Sequence, residues 1–207
     1  DGRLRLVTWG GLVPGKGLRT VVSAAEAIAR PDLVSISHFG RVLDASFRDE
    51  LLALAKRVEL RFEGPYPDGA LARFAAFDLA IFPSFFMETF GYVVDEAVRI
   101  GLPLIVSDRG APPDRVGGRG LIFRAGDVEE LSRIFERLLK NPSELKRLRA
   151  APEPRRPTVA EHATRLDEIY ARALEAARRS GTGVGRTTRE SPDSAPRRPA
   201  RSTPPSD

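Results

Sequence analysis

Hydrophobic residues fall along this chain in short apolar runs separated by longer stretches of helical periodicity. Leu4 to Trp9, Val34 to Phe39, Leu79 to Phe82, Leu104 to Ser107 and Leu121 to Phe123 read as strands. Val58, Leu60 and Phe62 alternate as one more, running into Gly64-Pro65-Tyr66. Between them, Leu18, Val21, Val22, Ala25, Ile28 and Ala29 share one face of a helix ended by Pro31, and Phe47, Leu51, Leu54 and Ala55 stripe a second. Asp68 is placed to cap a third through Phe77, and Val93, Val94, Ala97, Val98 and Ile100 fill one sector of a fourth. Residues 108–113 are rich in Gly and Pro and read as a loop. Asp127 caps a further helix with Leu131, Ile134, Phe135, Leu138 and Leu139 on its apolar face, and Asn141-Pro142-Ser143 breaks it before a shorter one. Six strands alternating with helices predict an α/β domain, a Rossmann-like doubly wound parallel sheet. In the common strand order 3-2-1-4-5-6, ligands bind where the order reverses, outside the carboxyl ends of strands one and four.

Both of those strand ends carry candidate chemistry. Strand one runs into Gly10-Gly11-Leu12-Val13-Pro14-Gly15-Lys16-Gly17, in which four glycines around one lysine let the backbone approach a bulky anion. The loop is neither G-x-G-x-x-G nor a Lys followed by Ser or Thr, so a tight turn with a solvated lysine is the alternative. Strand four stops at Pro83-Ser84, ahead of a loop bearing Glu88 and a helix whose first turn is marked by Gly91. The free N–H groups of that helix start suit a phosphate or a sugar hydroxyl. On the helical wheel Asp95 and Arg99 point away from the core, while Glu96 sits on the border, where a carboxylate can line a cleft. The alternative is that Glu88 is a dipole or capping charge and Glu96 a solvated helix residue. Two such motifs about seventy residues apart would face each other across one crevice, which favours a ligand-binding role for Lys16 and Glu88.

Composition bounds the rest. At 207 residues and 42% hydrophobic content the chain fits one sizeable domain plus a tail. The expected organisation is a domain over residues 1–151, a linker and terminal helix over 152–180, and a disordered Ser/Thr/Pro/Gly/Arg-rich tail over 181–207. The terminal helix carries a stripe of Leu166, Ile169, Tyr170, Ala173 and Leu174. The net charge of +5 is spread along the chain, so no nucleic-acid partner is expected. The absence of cysteine excludes disulfides and thiolate metal sites. No apolar run approaches the ~18 residues of a membrane span, and Asp1-Gly2-Arg3 does not open like a signal peptide. Only His38 and His162 are present, so a histidine-dependent nucleophilic site is not expected and His38 is read as structural. Without an Asp-x-Asp or a histidine pair at metal spacing, no metal and no cofactor are expected.

Taken together, Gly15-Lys16-Gly17-Leu18, Val58-Glu-Leu-Arg-Phe62-Glu-Gly64, Pro83-Ser84, Glu88-x7-Glu96-Ala97, Gly101-x-Pro103 and Gly126-Asp127 resemble the nucleotide-binding domain of retaining glycosyltransferases of family 4. These enzymes have the GT-B fold, two Rossmann-like domains facing across a cleft. The resemblance covers about residues 4 to 175. It implies a nucleotide-sugar donor such as a UDP- or GDP-sugar, with Gly15, Lys16 and Gly17 at the diphosphate and Glu88 beside the donor sugar. It also implies Glu96 on the ribose hydroxyls, amides near Phe90 and Gly91 on phosphate or sugar, and backbone near Tyr66 bordering the base. Lys16 and Glu88 would be the catalytic pair, in transfer with retention, independent of metal, to an unknown glycan, lipid or small-molecule acceptor. An N-terminal acceptor domain would be missing from this chain and would be supplied in the same or another polypeptide, with the terminal helix crossing back to it. The expected location is the cytoplasm, extending to the inner face of the membrane. One departure stands out: family members usually carry Arg five residues before the lysine, where this chain has Gly11. A lost charge-assisted contact is worth ~1.5–3 kcal/mol. A non-catalytic partner module, or an epimerase or phosphorylase on the same fold, are the other readings.

Overall fold

The computed structural model describes residues 2–67 and 69–179. Six strands, β1 (Leu4–Trp9), β2 (Val34–Phe39), β3 (Glu59–Gly64), β4 (Leu79–Phe82), β5 (Leu104–Ser107) and β6 (Gly120–Phe123), form one sheet. All pair in parallel, in the order β3-β2-β1-β4-β5-β6, so the order reverses between β1 and β4. β1 pairs with β2 over its whole length, but with β4 only at Leu6↔Leu79 and Val7↔Ala80.

The helices between the strands are α1 (Leu18–Ala27), α2 (Ala45–Leu54), α3 (Leu71–Phe74), α4 (Tyr92–Arg99), α5 (Pro112–Arg115), α6 (Val128–Lys140) and α7 (Pro142–Ala150). Alternation along each strand divides the core between the two faces of the sheet. Leu4, Leu6, Ile36, Leu79 and Ile81 pack with α1, α2 and α6 on one side. Val7, Trp9, Ala80, Phe82 and Val106 pack with α3 and α4 on the other. The four residues of β4 and of β5 are all buried, which is why they read as unbroken apolar runs.

Several boundaries differ from the sequence reading. α1 ends at Ala27, two residues before the last apolar position on its face, because Ile28 turns extended ahead of Pro31. α3 is a single turn ending at Phe74 and not a helix to Phe77, and its N-cap is Ala70; Asp68 lies outside the described residues. Pro112 at a first helical position starts a turn of helix, α5, inside the segment read as a loop. Asp127 caps α6 by accepting from the Glu130 N–H at 2.8 Å, and Asp44 does the same for α2 through Phe47 at 2.9 Å. Asp127→Ala is expected to cost about 1 kcal/mol in urea unfolding.

The chain divides into two compact units after Arg155. The second contains α8 (Val159–Arg179), none of whose residues is buried, with Ile169, Tyr170 and Leu174 exposed at 44%, 63% and 59%. The tail expected over 181–207 lies outside the described residues. Among the described residues no helix is long and apolar enough to cross a membrane.

Candidate functional site

Beyond the carboxyl ends of β1 and β4 the chain leaves a cavity of about 390 Å³. The glycine loop reaches it through Gly10, Gly11 and Lys16, the β4–α4 loop through Ser84, Glu88 and Phe90, and the start of α4 through Gly91 to Val94. Two other cavities, of about 410 and 560 Å³, open near Arg5 and Asp78 at the opposite strand ends and touch neither loop. There Arg5 Nη2 donates to Asp78 Oδ1 at 2.9 Å, closing the polar groups on each other.

Lys16 and Glu88, 72 positions apart, form an ion pair through Nζ and Oε1. Ser84 Oγ donates to the same carboxylate oxygen at 3.0 Å. With Lys16 46% and Glu88 24% exposed, water screens the pair, so it adds little to stability. Its importance is positional: a cation and a carboxylate stand together over an uncapped helix start. Gly91, the N-cap of α4, has φ +78° and no side-chain cap, so the first N–H groups of the helix are left to solvent or to a ligand.

Gly15 and Gly17, read from the sequence as letting the backbone approach an anion, also lie where two loops pack closely. A Cβ on Gly17 would stand 2.0 Å from the Pro83 carbonyl oxygen, and one on Gly15 would stand 2.1 Å from Phe86 Cζ. The Phe85 N–H donates to the Gly15 carbonyl at 2.9 Å. These glycines therefore clamp the lysine loop onto the loop that carries Glu88, and only Lys16 of the three reaches the cavity wall. A similar role falls to Gly110, which the sequence did not single out. At φ +68° it lies against the Glu88 backbone, where a Cβ would come within 2.4 Å of the Glu88 N, and the Ala111 N–H donates to the Glu88 carbonyl at 2.8 Å.

Glu96 is held by a residue from the neighbouring strand: Trp9 Nε1 donates to Glu96 Oε2 at 2.7 Å. Trp9 is 4% exposed and wedged between Phe74 and Phe82, with ring centroids 4.8 and 4.7 Å away, so the carboxylate is held from a rigid base. Among the described residues no donor reaches Oε1. Tyr66 packs on Phe74 at 5.5 Å, and its phenol pKa is raised, first by burial and then by the negative charge of Glu96. Neither Glu96 nor Tyr66 lines the cavity that holds Lys16 and Glu88. The buried indole N–H at a strand end was the signal in the sequence, since such a group requires an acceptor.

Asp95, read as pointing away from the core, is half-buried and paired. Arg115 of α5 donates from Nε to Asp95 Oδ1 at 2.9 Å, and its guanidinium lies 3.8 Å from the centroid of the Phe90 ring. Phe90 also contacts Tyr92 at 4.5 Å. The segment bearing Phe90 and Gly91 is thus fixed by a cation contributed from a helix that was not expected. His38 at the end of β2, read as structural, is 4% exposed and also lines the cavity. Among the described residues no group of His, Asp or Glu is arranged to hold a metal ion.

Known proteins share this fold. Anabaena HepE, solved in complex with UDP, superposes with a TM-score of 0.62 at 22% identity, covering 72% of this chain and 42% of HepE. The catalytic domain of the Helicobacter pylori cholesterol-α-glucosyltransferase gives 0.60 at 14% identity, covering 70% of this chain and 92% of that one. A mannosyltransferase of Mycolicibacterium hassiacum, described as an MMP α-(1→4)-mannosyltransferase, is 39% identical over 80 residues, which are 37% of this chain and 19% of the relative. The chain thus spans less than half of HepE and a fifth of the mannosyltransferase. The six-stranded parallel sheet matches GT-B glycosyltransferase structures. The model of the glycosyl transferases group 1 family matches residues 3–141, more than half of the chain, and the chain belongs to that family.

Proposed function

We propose that this chain is the donor-binding half of a retaining, family-4-type glycosyltransferase that moves a hexosyl group from a nucleoside-diphosphate sugar to an acceptor. The observation that carries the reading is the meeting of Lys16 and Glu88 at the reversal of strand order, over the open start of α4. HepE in complex with UDP and with UDP-glucose supports a nucleotide-sugar donor. In this reading the diphosphate displaces Glu88 from Lys16, and Lys16 with the α4 N–H groups stabilises the charge that grows on the leaving diphosphate. Glu88 turns to the donor sugar. Glu96, steadied by Trp9, accepts from the ribose hydroxyls through its unused oxygen, and backbone near Tyr66 borders the base. None of these steps calls for a metal or cofactor. The acceptor side belongs to a domain outside this chain, and the enzyme works in the cytoplasm or at the inner face of its membrane.

Calorimetric titration with UDP, GDP and ADP tests this directly. One nucleotide is expected to bind saturably, and Lys16→Ala and Glu96→Ala are each expected to weaken it about ten- to a hundredfold, the range for a hydrogen bond to a charged group. A folded chain that binds none of the three overturns the reading.

A second reading, a non-catalytic nucleotide-sugar module, is favoured by one observation: no cation stands at Gly11. A Cβ at Gly11 meets only the tip of Leu43, at 2.9 Å, and Leu43 is 65% exposed and free to swing away. Gly11→Arg should therefore fold. A gain in nucleotide affinity in this variant would mark a pocket complete except for that charge.

A further inference from the structure

Glu88 has a second partner that its ion pair with Lys16 does not explain. Ser84 is 5% exposed, and its hydroxyl is engaged on both sides: Oγ accepts the Phe86 N–H at 3.2 Å and donates its proton to Glu88 Oε1 at 3.0 Å. The Ser84 carbonyl is held as well, by the Ser107 hydroxyl at 2.6 Å. Ser107 ends β5, is 1% exposed, and is the one polar residue of that strand. A hydroxyl is tolerated in a strand buried on both faces because it has this acceptor. The backbone of Glu88 is pinned separately, its carbonyl accepting the Ala111 N–H at 2.8 Å. Among the described residues, the Glu88 carboxylate therefore takes its direction from Lys16 and Ser84.

We propose that Ser84 is a positioning residue for Glu88, holding the carboxylate in place once a nucleoside diphosphate has drawn Lys16 away, and that Ser107 fixes Ser84 for that task. The inference rests on the nucleotide-sugar reading above and extends it to two residues which that reading does not use. Lys16 and Ser84 reach the same carboxylate oxygen, Oε1. Two donors on one oxygen share its charge, so each bond is weaker than it would be alone. Of the two, Lys16 is on a flexible stem and 46% exposed, free to follow an anion, whereas Ser84 is buried and held by its hydroxyl and its carbonyl. When the diphosphate claims the lysine, Ser84 remains as the donor to Glu88, and its charge-assisted bond strengthens. Ser84 thereby lowers the cost of parting the ion pair and keeps the carboxylate at the cavity wall.

The test is a double-mutant cycle in the whole chain, read by calorimetric titration with UDP, or with whichever of GDP and ADP binds instead. Ser84→Ala is expected to weaken binding about tenfold, within the range for a hydrogen bond to a charged group. In a Glu88→Ala background the same substitution should change nothing, because the group that Ser84 serves is gone. Ser107→Ala should follow the same pattern with a smaller loss, about threefold, and takes the place of Ser84→Ala in the cycle if that variant does not fold. Losses of equal size with and without Glu88 would overturn the proposal, since the serines would then act on the ligand directly or on the loop as a whole. No loss in the wild-type background would overturn it too. Wild-type chain that binds none of the three nucleotides overturns the donor-site reading itself, an outcome distinct from tight binding that is indifferent to Ser84.

Discussion

Gly17→Ala is expected to lower stability by at least about 3 kcal/mol and the melting temperature by roughly 6–12 °C, whereas Gly64→Ala should cost only about 1 kcal/mol. The two glycines have nearly the same left-handed backbone, φ +77° and +76°, so the conformational penalty of an added Cβ is the same at both. They differ in what the methyl meets: nothing within 4 Å at Gly64, the Pro83 carbonyl oxygen at 2.0 Å at Gly17. Backbone cannot swing aside as a side chain can, so relief requires the β4–α4 loop to move as a unit. That loop carries Ser84 and Glu88, so on the proposed function nucleotide affinity should fall with stability. Gly15→Ala should be milder than its 2.1 Å contact suggests, because Phe86 is half exposed and can rotate away. Thermal melts and urea midpoints of the three variants decide the matter; equal losses at positions 17 and 64 would show that the two loops are not clamped together.

The second large effect is a pH dependence. His38 ionises near 6.5 in an unfolded chain and near 4 in the folded one, because burial disfavours the imidazolium. Between those values the unfolded chain takes up a proton that the folded chain refuses, so stability rises with pH across that window. The contribution is fully present above about pH 6.5 and is lost as pH falls toward about 4, in total about 3 kcal/mol at 1.36 kcal/mol per pH unit. Urea unfolding at pH 7 and pH 4.5 should show this slope in the wild-type chain and a shallower one in His38→Phe. Carboxylates titrate in both chains and cancel in the difference. Identical slopes would mean that His38 is not held neutral by burial.

The fold was legible because its strongest signals are local. β4 and β5 are unbroken apolar tetrads that only a sheet covered on both faces explains, and Asp127 ahead of an amphipathic run announces α6. The position of Lys16 and Glu88 followed from a rule about strand order and needed no side-chain information. What stayed hidden depends on contacts between distant residues. The Trp9–Glu96 hydrogen bond spans 87 positions, and periodicity along one helix cannot report a partner on another strand. Gly15, Gly17 and Gly110 were visible as glycines, but whether a missing Cβ leaves space for a ligand or for another loop is decided only by packing. The Asp95–Arg115 pair was lost for a related reason: α5 is one turn long, with Pro at its start, and a segment so short and Gly/Pro-rich looks like a loop to any window of sequence.

The brevity of the β1–β4 pairing, two residue pairs where β1 and β2 share six, bears on how such a chain changes over time. The crevice is opened by where two strands part company, which is a property of the backbone and of the crossover that precedes it. Side chains on its rim, Gly11 among them, can therefore be exchanged for others with little demand on the sheet beneath. A lineage that keeps the sheet inherits the crevice as a standing feature and can change what it holds through a few substitutions at the strand ends.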